Sequence, residues 1–116
     1  MSVAILAVET LDCAHKLRVH YVLPDPLAQA LCARFPDADV RVDAFSQLVQ
    51  GAKDHLRFGR KHAFEAAGVL GETRLVVTYG KPLAARPTET VEAVEAALSA
   101  QYRAPIQRLQ PKGDTP

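Results

Sequence analysis

The stretch "FEAAGVLGETRLVVTYGK", residues Phe64 to Lys81, admits two readings that exclude each other, and the choice decides where the chain's main group of basic residues points. In the first, a helix beginning near Phe45 runs to Leu70 through the spacing Phe45, Val49, Ala52, Leu56, Gly59, Ala63, Ala66 and Leu70, and a strand follows. In the second, the stretch is one β-hairpin. The long helix would hold Gly51, Gly59 and Gly68 in its interior, each costing up to about 1 kcal/mol relative to Ala. Its later positions also supply little side chain to bury. The hairpin places Gly71-Glu72 at the centre of a type II′ turn, which needs glycine first. Folding there opposes Phe64 to Tyr79, Ala66 to Val77, Gly68 to Leu75 and Leu70 to Thr73 on one face. Glu65, Ala67 and Val69 meet Thr78, Val76 and Arg74 on the other. One face is the more apolar, as a sheet covered on one side requires, and the hairpin is the preferred reading.

Working outward, the hairpin stops the preceding helix near Phe58, with Ser46 placed to cap its first turn. Val3–Glu9 is a short apolar run, and Lys16–Leu23 alternates Leu17, Val19, Tyr21 and Leu23 with polar or smaller neighbours, so both read as strands. "PDPLAQALCARFPD" carries helix punctuation: Asp25 as cap, Pro26 at the first helical position, Pro36 as stop, and Leu27, Ala30, Leu31 and Phe35 as the buried stripe. Asp39–Phe45 reads as a strand with Val40, Val42 and Ala44 on one face. Thr88–Tyr102 is the best-marked helix, with Pro87 before it, Glu89 and Glu92 near its positive end, and Val91, Val94, Leu98 and Tyr102 in its apolar stripe.

The resulting order is β-β-α-β-α-β-β-α, an α+β chain expected to form a two-layer α/β sandwich with a mixed or antiparallel sheet; a ferredoxin-like variant fits that order. Residues 1–103 make one domain and 104–116 a loosely held tail. At 116 residues with 48% hydrophobic and 23% charged, the chain is long and apolar enough for a core without metal or disulfide staples. The formal charge of +1 gives no overall field to draw a polyanion. The short "VAILAV" run is no membrane span and has no positive leader, so a cytoplasmic location without membrane attachment is expected.

Four constellations bear on chemistry. "KDHLRFGRKH" brings Lys53, Arg57, Arg60 and Lys61 together: on a continuous helix they form one stripe beside Phe64, able to grip phosphates while a base stacks. With a helix ending near Phe58, the same charges compensate its carbonyl end, and nucleic-acid binding is not expected. "LDCAH" sets His15 two residues from Cys13, where the imidazole could deprotonate the thiol, with Asp12 beside them; no oxyanion or protease signature completes an enzyme. The other cysteine, Cys32, makes no zinc-ligand spacing with Cys13, and His15, His20, His55 and His62 do not share a metal motif. "TYGKPL" ends a strand, where Lys81 could hold an anion and Tyr79 line its pocket, although no phosphate-binding glycine pattern surrounds them.

These features favour a small soluble, non-catalytic interaction or small-ligand-binding module that uses no metal or cofactor. Because a sheet covered on one side commonly hides the other by self-association, a homodimer is the expected assembly. A nucleic-acid-binding domain on the Lys53–Lys61 stretch and a small enzyme using Cys13 and His15 are the alternatives.

Overall fold

In the structure, a computed structural model that describes residues 4–11, 17–60, 63–79 and 88–109, the stretch from Phe64 to Tyr79 is a hairpin. Phe64 pairs with Tyr79, Ala66 with Val77 and Gly68 with Leu75, the register the alternation implies. The turn differs from expectation. The Glu72 N–H donates to the Val69 carbonyl at 3.1 Å, so Leu70 and Gly71 are the central residues, with Gly71 at φ +91° in third place. Leu70 and Thr73 lie in the connection rather than facing each other in the ladder. The connection is longer than a two-residue turn because its backbone is engaged elsewhere: Leu70 N–H donates to Asp54 O, and Gly71 N–H to Leu27 O.

Around this hairpin stand β1 (Ile5–Leu11), β2 (Leu17–Val22), β3 (Asp39–Asp43), β4 (His55–Arg60), β5 (Phe64–Val69), β6 (Arg74–Tyr79), α1 (Thr88–Tyr102) and β7 (Ile106–Leu109). The strands form one seven-stranded sheet in the order β3-β4-β5-β6-β2-β1-β7. All neighbours are antiparallel except β1 and β7, which run parallel because α1 carries the chain back across the sheet. The two-layer α/β sandwich is thereby overturned: the protein is mostly β, a mixed sheet with one α-helix.

Two expected helices fail for identifiable reasons. In the segment after β2, the Leu27 N–H donates to Glu72 O at 2.7 Å and its carbonyl accepts from Gly71 at 3.0 Å. Both backbone groups are spent on the hairpin turn, so helical bonding starts only beyond Ala28 and Pro36 soon stops it. What remains is a 3₁₀ segment, Gln29–Arg34. The segment after β3 makes a single 3₁₀ turn, Phe45–Gln47, its Ser46 N–H held by the Asp54 carboxylate at 3.0 Å. Gly51 at φ +85° then turns the chain into β4, which gains a ladder on each side. Leu56 and Phe58 are buried while His55 and Arg57 are exposed, a strand's alternation that the helical spacing conceals.

One face of the sheet is covered by α1 and the crossing segment after β2. Ile5, Ala7, Leu17, Val19, Tyr21, Leu56, Phe58, Phe64, Ala66, Leu75, Val77 and Tyr79 meet Leu27, Leu31, Phe35, Val91, Val94 and Leu98 in a single core. Phe35 anchors the crossing segment, its ring 5.0 Å from Phe58 and 5.5 Å from Phe64. Gly68 sits on this face because Leu27 occupies the space a side chain would need. At the far end α1 closes in a Schellman motif: Arg103 takes the left-handed conformation, φ +52°, and Ala104 N–H reaches back to Ser99 O. Ile106–Leu109, which composition places in the tail from residue 104, then add to the sheet as β7. Among the described residues no helix is long and apolar enough to cross a membrane.

Candidate functional site

The opposite face of the sheet carries no described element. Strand alternation puts Leu6, Val8, Val22, Val69, Val76 and Leu109 on it, with Ala67 and His20 between them. The pairings Leu6–Val22, Val8–His20, His20–Val76 and Ala67–Val76 join these positions across β1, β2, β6 and β5. Val22 is 40% and Leu109 39% exposed. Cations flank the strip: Arg74 on β6, and Arg41 with Arg57 toward β3, both beside Asp43 at 3.4 and 4.0 Å. Past His55 the apolar surface continues into the loop before β4, where Phe45 sets its ring edge-on to His55 at 5.0 Å and Leu48 is 81% exposed.

Beneath the covered face lies a connected polar group. Tyr21 Oη donates to Glu95 Oε2 at 2.8 Å, and since a phenol has one proton, the 2.7 Å contact between the two tyrosine hydroxyls is a donation from Tyr79. Arg108 on β7 forks onto both Glu95 oxygens at 2.6 and 2.8 Å and reaches Glu9 Oε2 at 2.9 Å. Strands β1, β2, β6 and β7 and helix α1 are thus tied by one continuous chain of hydrogen bonds, charge-assisted wherever Glu95 or Glu9 accepts. Burial, followed by the neighbouring Tyr79 and Glu95, pushes the Tyr21 hydroxyl far above the ordinary tyrosine range. Burial also raises Tyr79. Both phenols stay protonated at neutral pH, which suits them to donate hydrogen bonds and unsuits them as bases. Among the described residues no buried side-chain N or O atom lacks a partner, so the group is a closed fastening with nothing aimed outward.

The residues expected at a site fall as follows. Tyr79 is fully buried in this fastening. Lys81, Lys61, Cys13 and His15 lie outside the described residues. Lys53 pairs with Glu72 at 3.2 Å, Arg57 stands on the open face, and Arg60 lies on the covered side over the Phe64 ring, 5.6 Å from its centre. A strand sends alternate residues to opposite faces, so Arg57 and Arg60 do not form the stripe a helix would make. The described thiol, Cys32, is pushed up by burial, the wrong direction for a nucleophile. No cluster of three or more His, Cys, Asp or Glu suited to a metal occurs among the described residues. Tyr21 is legible in sequence only as an apolar strand position, while Glu95 and Arg108, part of the same fastening, carry no local signal. No family model, curated protein or solved structure matches the chain.

Proposed function

We propose that this protein is a non-catalytic interaction module that pairs with a second copy of itself through the open face of its sheet. The observation that carries this reading is the apolar strip from Leu6 and Val8 through Val22 to Val76 and Ala67 on the face opposite α1. Two such faces stacked about 10 Å apart would interdigitate as the inner faces of a β-sandwich do. A net charge of +1 offers little repulsion between copies. The reading takes the module as cytoplasmic and as working without nucleic acid.

Sedimentation over the micromolar range tests it. The chain is expected to run as a dimer, and Val76→Glu, which sets a carboxylate in the middle of the strip, is expected to give a folded monomer. A monomeric mass at every concentration, or a dimer indifferent to Val76→Glu in a folded variant, overturns the reading.

A further inference from the structure

On the covered side, away from the open face, a cleft of about 100 Å³ lies where the end of the 3₁₀ segment, the end of β4 and α1 meet, lined by Arg34, Phe35, Pro36, Asp37, Arg60 and Ala93. We propose that this cleft is a binding site for a small monocarboxylate with a compact apolar body, held between Arg34 and Arg60.

Three features carry the assignment. First, two guanidinium groups line one small cleft, and among the described residues neither Arg34 nor Arg60 is ion-paired, whereas Lys53, Arg41, Arg57 and Arg108 each have an acidic partner. Second, both are held in place without being neutralised. Arg34 Nε donates to Gln101 Oε1 at 3.0 Å, which leaves its terminal N–H groups for a ligand, and the Arg60 guanidinium rests over the Phe64 ring. Third, Phe35, part of the aromatic group with Phe58 and Phe64, also lines the cleft and offers an apolar surface to the body of the ligand.

The charge count selects the ligand class. Two arginines against the single carboxylate of Asp37 leave one net positive charge at the cleft, which matches a monoanion. A phosphate dianion carries one negative charge more than the cleft neutralises and is repelled by Asp37 the more strongly. Arginine also suits a planar carboxylate geometrically, since its parallel N–H groups can each meet an oxygen.

The test is an NMR titration of the full chain with benzoate, propionate and inorganic phosphate, following backbone amides and the Arg34 and Arg60 Nε–H signals. Benzoate is expected to give saturable shifts centred on Arg34, Phe35 and Arg60, propionate weaker ones, and phosphate the weakest. Arg34→Gln and Arg60→Gln should each raise the benzoate Kd by about tenfold or more, as loss of a charged hydrogen bond implies. Arg34→Lys and Arg60→Lys, which keep the charge and lose the fork, should fall between. Asp37→Asn should strengthen phosphate. Shifts that stay linear with concentration, phosphate binding tighter than benzoate to the unmodified chain, or a benzoate Kd unchanged in folded Gln variants would each overturn the assignment.

Discussion

The two faces of the sheet are made by the same strands and differ by one residue in phase, yet they are different surfaces. On the covered face Ile5, Ala7, Val19, Leu56, Ala66 and Val77 are wholly buried, and toward β1 and β7 the side chains of Tyr21, Tyr79, Glu95, Arg108 and Glu9 satisfy one another. On the open face valines and leucines alternate with His20, Arg57 and Arg74, none of them deeply buried. The contrast teaches that one helix and one crossing segment bury the inner strands of the sheet on one side only, with Val40 at the β3 edge still 44% exposed. The remaining apolar strip is what a partner would cover.

The largest expected effect breaks the covered face. Phe58→Ala opens a cavity among three phenylalanine rings and should cost about 3–5 kcal/mol in urea unfolding. Val76→Ala on the open face, measured where the chain is monomeric, should cost about 1 kcal/mol or less. Equal losses at the two positions would mean that the faces are not the different environments described here. Next is Gly68→Ala, whose methyl would collide with Leu27 and with the Arg74 carbonyl, for a loss of about 1–3 kcal/mol. In a Leu27→Ala background, where the side chain in the way is gone, Gly68→Ala should cost less than it does in the parent chain.

Tyr21→Phe tests the polar fastening. It strips the acceptor from Tyr79 and the donor from Glu95, for a cost of about 1–3 kcal/mol. The pH dependence has a definite sign. Both phenols are raised in the folded protein, so the stability they confer is complete below the unfolded tyrosine value of about 10 and is lost as pH climbs above it toward the folded values. Unfolding midpoints should therefore drop steeply above about pH 10, and Tyr21→Phe should flatten that drop. The smallest effect is a gain: Arg103→Gly relieves a side chain held at φ +52° where α1 leaves the covered face, and should add about 0.5–1 kcal/mol, read as a modest rise in Tm.

How much of this was legible varies with the range of the forces involved. The β5–β6 ladder follows from a two-residue alternation on both sides of a glycine, and its register is what that alternation implies. The turn itself was not legible, because Asp54 and Leu27, distant in sequence, engage its backbone. Thr88–Tyr102 is the helix that Pro87, its N-terminal glutamates and its apolar stripe announce. The residues from Phe45 to Leu56 mislead: their three-and-four spacing is helical, yet Leu48 and Val49 lie exposed in a loop and Leu56 is a strand residue. Of the candidate sites, the Lys53–Arg60 stretch is visible as composition, but its division between two faces depends on the strand it joins. The Arg34–Arg60 cleft joins residues from segments that have no sequence relation.

What the sequence determined by itself was local: which residues alternate, where glycine and proline interrupt, which helix has a marked start and a continuous apolar stripe, and a near-neutral charge that sets up no global field. What only the tertiary structure decided was every choice between near-equal local alternatives. Leu27 stays outside the 3₁₀ segment because the hairpin turn takes both its backbone groups, and His55–Arg60 is a strand because β3 and β5 offer it ladders on both sides. Arg108 belongs to the sheet because Glu95 and Glu9 wait for it. A helix's hydrogen bonds close within a few residues and leave their mark on a short window of sequence. A strand's bonds close onto another part of the chain, so whether a segment becomes one depends on what the rest of the chain presents.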